Sequence, residues 1–332
     1  MQRAKYLDIA KGLGILCIVL LHFEDGLIPG ALNVFIGLFM ISVFYVTSGW
    51  LDSMRDKTTS LKDLIAKRWQ QLGKPYVYWT IIILIFDSIL CLLGHYDTKY
   101  IGGEIYKSVV LRGIGTLWFL PALFGGEIMW NFTKNKKIAL SVVLLALILA
   151  FHYVASKYFE PREDTMGKII YAPIRTLVNM TSAWIGIAFG YAAHRCYRKH
   201  EDSLDRIKLL AAGIIFCAIS YVFGIYCEVG CITELTAPLF GPLGFIFIFK
   251  AIEDKIPFRY LNYWGIHSLG LMVTHYSFFL VICWIIQNHI DGTEGELLHG
   301  WPSIGYFVAT MILEYFVVEM IEKKFPFLLG KK

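Results

Sequence analysis

The stretch AKGLGILCIVLLHF, residues 10–23, is almost wholly apolar, yet it carries Lys11 near one end and His22 near the other. A helix turns about 100° per residue, so the eleven steps from Lys11 to His22 return to within about 20° of the same direction and rise about 16 Å. The two side chains share a face, and Asp8 falls near the same stripe. An ionisable group at mid-membrane costs about 2.5–3.5 kcal/mol even on the lenient insertion scale, so such groups usually face a cavity or the bundle interior and have a task. Near neutral pH an imidazole can take a proton from a hydroxyl and return it to a leaving group. His22 is therefore the leading candidate for chemistry, with an interhelical hydrogen bond made only for packing as the alternative. Lys11 has a plainer alternative, an interfacial lysine that snorkels toward water.

The rest of the chain agrees with a membrane setting. Of 332 residues, 57% are hydrophobic, 16% aromatic and only 17% charged, too little polar surface for a soluble globule of this size. Apolar segments of spanning length recur to the end of the chain, so the first reads as a retained helix and not as a cleaved signal. Ten are predicted, at roughly 10–28, 31–51, 74–94, 114–131, 137–155, 171–193, 208–227, 233–251, 264–287 and 303–321. The fourth contains Pro121 and Glu127, and the sixth Pro173 and Arg175. Placed on alternate sides, 24 of the 31 Lys and Arg residues fall on the side of both termini and seven on the other. Cytoplasmic ends retain positive charge, so both termini are expected in the cytoplasm. The expected fold is all-α: a polytopic membrane helical bundle forming a single integral membrane domain over residues 1–332, in the plasma or inner membrane.

Other classes are disfavoured. No basic face suited to nucleic acid is visible, and no Cys/His cluster has metal spacing, so no metal is expected. Cys227 and Cys231 read as small buried residues, with a bridge on the outer side as the alternative. Ten helices with a polar interior also describe a secondary transporter or an exporter of a glycan subunit, but such proteins commonly show related halves, and no internal likeness is evident.

Five segments, in order, carry a resemblance. YLDIAKGLGILCIVLLHF (6–23), FYVTSGWL (44–51), KRWQQLGKPYVYW (67–79), LWFLPALF (117–124) and HSLGLMVTHYSFF (267–279) together resemble the acyltransferase 3 family of integral membrane acyltransferases. The closest flavour is its sugar O-acetylase branch, typified by fucose 4-O-acetylase-like proteins. The likeness covers essentially the whole chain. The first-helix signature is Arg or Lys, ten residues, then His. Here Lys11 stands where many members have Arg, Gln71 stands where many have a second arginine after Arg68, and His267 stands where relatives often have a small polar residue.

The resemblance implies an O-acetyltransferase of the cell envelope that modifies polysaccharide. An acyl group, usually acetyl from acetyl-CoA made in the cytoplasm, passes to a hydroxyl of a carbohydrate or lipid-linked acceptor at or beyond the outer face. His22 is the expected general base, with a transient acyl-histidine ranked second. The rise of about 16 Å from Lys11 to His22 is comparable to an extended pantetheine arm. Lys11, Arg68, Lys67 and Lys74 are candidates for the donor's phosphates, the last three against ordinary topology charge. Asp8 would charge-match Lys11, Trp118 would stack on substrate or anchor the interface, and Glu127 and His275 would line a cavity or serve as interhelical glue.

Overall fold

The computed structural model describes residues 3–23, 26–55, 59–134, 138–158, 165–226, 231–291 and 301–331, and among them all regular structure is helical. Fifteen α-helices follow in order: α1 (Lys5–Phe23), α2 (Gly30–Phe39), α3 (Ser42–Arg55), α4 (Leu61–Arg68), α5 (Lys74–Leu92), α6 (Thr98–Val109), α7 (Phe119–Lys134), α8 (Ile138–Tyr158), α9 (Thr165–His200), α10 (Arg206–Tyr226), α11 (Cys231–Ile252), α12 (Arg259–Ile266), α13 (Ser268–Thr274), α14 (Val281–Asp291) and α15 (Pro302–Lys324). Two π turns interrupt them, Trp69–Gly73 and His275–Leu280.

Among the described residues, six helical runs are long and apolar enough to cross a membrane: Lys5–Phe23, Gly30–Arg55, Leu61–Leu92, Arg206–Tyr226, Ser268–Ile290 and Pro302–Lys324. Val142–Ala155 and Thr236–Ile252 are shorter apolar helices. The segments expected at 114–131 and 171–193 are helical as α7 and α9. A loop with positive φ at Leu111, Gly113 and Gly115 delays the start of α7, and α9 carries Lys168 and Arg175 within its first three turns. Cys227 lies outside the described residues, so a bridge to Cys231 does too; Cys17, Cys91, Cys196, Cys217 and Cys283 are free thiols.

Local sequence explains many of the boundaries. Ser60 Oγ accepts from Asp63 N (3.1 Å) at the start of α4, and Asp97 from Tyr100 N (2.6 Å) at the start of α6. Asp205 Oδ1 accepts from Lys208 N (2.9 Å) at the start of α10, and that backbone hydrogen bond holds its carboxyl below the usual carboxylate range. Pro121 sits in the first turn of α7, and Pro75 lies just past the π turn that joins α4 to α5. Pro173 and Pro242 lie inside helices and free the carbonyls four residues earlier. Both freed carbonyls are satisfied by a hydroxyl from another helix: Ile169 O accepts from Tyr106 Oη (2.6 Å), and Pro238 O from Ser42 Oγ (2.6 Å).

The chain forms two compact units, one of Met1–Lys57 and Gly186–Val318, the other of Thr58–Ile185 and Glu319–Lys332. Pairs of glycines assemble the first. A Cβ on Gly12 would strike the carbonyl of Leu261, and one on Gly265 would strike the carbonyl of Asp8, so α1 and α12 touch backbone to backbone. The same reciprocity joins α3 to α9 through Gly49 and Gly190, and α10 to α11 through Gly213 and Gly244. Around these crossings Trp50 is fully buried and donates Nε1 to Tyr6 Oη (3.1 Å), while Lys250 Nζ lies 4.9 Å from the ring centre of Tyr6 and 5.2 Å from that of Tyr197. In the second unit Gly126 lets α7 seat against Ala183 and Trp184 of α9, and Trp79 Nε1 donates to Leu328 O (3.0 Å).

Two outcomes follow for stability, each read as a melting temperature in detergent or nanodiscs. Gly265→Val forces α1 and α12 apart and should cost about 1–3 kcal/mol or more, whereas Gly37→Ala, with open space around it, should be neutral or slightly stabilising. Ser42→Ala strands the Pro238 carbonyl and should cost about 1–3 kcal/mol; an unchanged melting temperature would show that this carbonyl has another donor.

Candidate functional site

In the first unit, α1 and the run from α12 through the second π turn lie parallel. Gly12 packs on Gly265, and ten residues further along each helix His22 Nδ1 is 3.0 Å from His275 Nε2. Both pairs are therefore separated by 253 residues, so one register carries the close crossing and the histidine contact. His275 is fully buried, and its Nδ1 lies 2.6 Å from Leu271 O, one turn back. His22 is half-buried. Its ring stacks on that of His275 at 5.2 Å and meets Tyr276 edge-on at 4.8 Å, which fixes its plane from two sides. The π turn at His275–Leu280 widens the helix where it faces α1. Beside it, Thr274 Oγ1 donates to Glu314 Oε2 (2.7 Å), and Glu314 is completely buried.

At the other end of α1, Asp8 is buried and pairs with two cations, Lys11 through Oδ1 (2.7 Å) and Arg3 through Oδ2. The group carries one net positive charge. The Lys11 side chain remains 21% exposed, enough to meet a ligand from the solvent side. Asp8 and Lys11 thus meet as their spacing implies. Arg3, which the sequence marks only as one of the positive charges on the side of the termini, joins them as a second partner of Asp8.

In the second unit Arg68 closes α4 and forms an ion pair with Glu127 of α7: Nη2 donates to Oε1 (2.7 Å), and Nε meets Oε2. Nη1 donates to Gln71 Oε1 (2.7 Å). Both side chains are largely withdrawn from solvent, at 19% and 7% exposed, so this is a desolvated ion pair with one hydrogen bond and not a loose surface pair. Asn131 Nδ2 on α7 donates to Thr59 O (3.2 Å) next to the cap of α4, which keeps the two helices in step. Among the described residues, one N–H on each of Nη1 and Nη2 has no protein acceptor. Gln71, where relatives often carry arginine, instead orients Arg68. Lys67 is exposed on α4, and Lys74 is half-buried at the first position of α5. Trp118 ends the 3-10 turn Gly115–Trp118, half-buried, with its ring 6.3 Å from Phe119. Gly113 (φ 73°) is required there twice over, because a Cβ would also strike the backbone of Trp118.

The structure therefore brings His22 to His275, Asp8 to Lys11, and Arg68 to Glu127. No cluster of three or more metal-ligating side chains occurs among the described residues. Chemically, the histidine pair can accept and return a proton, and both Arg68 and the Arg3–Asp8–Lys11 group can receive an anion.

Comparison with known proteins found no match among curated proteins and none among solved structures. The model of one protein family, described as an acyltransferase domain, matches residues 4–318. That span contains all five sequence segments and every candidate residue above except Arg3, so the chain belongs to the acyltransferase 3 family and is a membrane acyltransferase.

Proposed function

We propose that this protein is an O-acyltransferase of the sugar O-acetylase branch, moving an acyl group, acetyl foremost, from cytoplasmic acyl-CoA to a hydroxyl of a cell-surface carbohydrate or lipid-linked glycan. The observation that supports this most is His22. It closes the family's first-helix signature and is held by a second imidazole at 3.0 Å. As the acceptor oxygen attacks the thioester carbonyl, His22 takes the hydroxyl proton; the C–S bond then breaks and the proton passes to the departing CoA thiolate. Metal is not part of the proposal.

Cations serve the donor's phosphates. Lys11 keeps its charge partly uncommitted because Asp8 divides its own between two partners. Arg68, braced by Glu127 and Gln71, offers N–H groups that have no acceptor among the described residues, and Lys67 and Lys74 add positive charge on either side of it. Trp118 stacks on substrate. The charge asymmetry supports ten spans with both termini in the cytoplasm, α7 and α9 supplying the fourth and sixth, in the plasma or inner membrane. Residues 1–332 then act as one acyltransferase domain.

His22→Ala should lower transfer by about 10²–10⁴-fold while the protein stays inserted and folded. The measurement is mass spectrometry of surface glycans from cells carrying each form, reading the added acyl mass; activity above a few per cent would remove His22 from the catalytic role. Purified protein should also melt at a higher temperature with acetyl-CoA or CoA, by about 2.7 kcal/mol of stabilisation at a hundredfold excess over Kd. An exporter of glycan subunits predicts no such shift.

A further inference from the structure

We infer that His275 is a positioning residue that fixes the tautomer of His22, so that His22 carries its proton on Nδ1 and presents the lone pair of Nε2 to the acceptor hydroxyl. This rests on the reading of His22 as the base and adds what sets that base.

The argument is one of donors and acceptors. A carbonyl oxygen only accepts, so the His275 nitrogen 2.6 Å from Leu271 O, Nδ1, is the one that carries hydrogen. A neutral imidazole has one N–H, which leaves Nε2 of His275 as an acceptor. That acceptor lies 3.0 Å from Nδ1 of His22, so Nδ1 of His22 must donate and Nε2 must hold the lone pair. For two neutral rings, no other assignment satisfies both contacts. In water an isolated histidine prefers its proton on Nε2, the opposite choice. The arrangement therefore overrides the side chain's own preference, and the instruction comes from one backbone carbonyl. Among the described residues nothing is hydrogen-bonded to Nε2 of His22. Both nitrogens of His275 are engaged and the residue has no exposed surface, which excludes it from touching substrate.

The proton count closes. The acceptor hydroxyl gives its proton to Nε2 as the new C–O bond forms, and His22 becomes an imidazolium whose Nδ1–H donates a stronger, charge-assisted bond to His275. When the C–S bond breaks, Nε2 returns the proton to the thiolate sulfur, and His22 is left in its starting tautomer. His275 keeps one proton, on Nδ1, throughout.

Ring-nitrogen NMR on histidine-15N-labelled protein in nanodiscs tests the assignment directly, with His22 identified by its loss in His22→Ala. The expected spectrum shows a protonated Nδ1 and an unprotonated Nε2 at His22; a protonated Nε2 would overturn the inference whatever the activity. Activity then separates positioning from packing, read as CoA release from acetyl-CoA with an envelope glycan fraction as acceptor. His275→Leu should lower kcat on the order of 10²-fold with the donor KM unchanged, and should shift His22 toward the Nε2–H form. His275→Gln, whose amide oxygen can accept from Nδ1–H, should recover much of the loss and restore the tautomer. Equal defects in the Leu and Gln variants would assign His275 to packing and overturn the inference. Should His22→Ala retain transfer, the base assignment fails, while the tautomer measured in the wild type still stands or falls by itself.

Discussion

Two hydrogen atoms in place of side chains, at Gly12 and Gly265, let α1 and α12 meet through bare backbone. Helices in an apolar medium gain little from hiding apolar surface, since the surroundings are equally apolar, so close approach and polar contacts must supply their attraction. The crossing does more than bind two helices: it sets their register. Because both runs proceed in the same direction with helical rise, the offset established at Gly12 is still in force about 15 Å further on. There it places His22 opposite His275. A residue with a Cβ at either glycine would alter the separation of the imidazoles without touching them.

Several of the polar groups inside these apolar helices are paired as the medium demands, a buried donor or acceptor finding its complement within the protein. The pairing operates at backbone level where Ser42 and Tyr106 reach carbonyls that prolines have stripped of their usual partners. It operates at side-chain level where Asp8 takes two cations and Glu127 accepts from Arg68. These pairs leave charge that is oriented but not fully cancelled. An ion pair with every valence satisfied would be inert toward a phosphate, whereas Arg68, oriented by Glu127 and Gln71, has N–H groups without an acceptor among the described residues.

Much of this was legible in the sequence, and what was not has a physical reason. Long apolar runs announce membrane helices, and the face shared by Asp8, Lys11 and His22 follows from helical geometry alone. Hydropathy could not locate α7 and α9 as firmly, because Glu127, Lys168 and Arg175 dilute their apolar windows and a glycine-rich turn delays one start. Tertiary partners were hidden for a different reason. His275 and Glu127 stood out as ionisable residues in apolar surroundings, but nothing in a linear pattern names a partner 253 residues away for His22, or 59 away for Arg68. Gln71 shows the limit of family likeness: a departure from the expected arginine becomes intelligible only when its amide is seen accepting from Arg68.

The choice of a neutral ring beside His22, where many hydrolytic sites use a carboxylate, fits the medium. A carboxylate in that position would be a buried charge whenever His22 is neutral, which is most of the catalytic cycle, and its desolvation would need a permanent counter-ion. An imidazole accepting through Nε2 carries no such penalty. The concession is electrostatic, for a neutral acceptor stabilises the transient imidazolium less than an anion would. A base built this way relies on direction: its lone pair is already aimed, its ring is clamped by His275 and Tyr276, and the tautomer is chosen before substrate arrives. Orientation prepared in the free protein is thus how a helix interior hostile to standing charge can still host proton transfer.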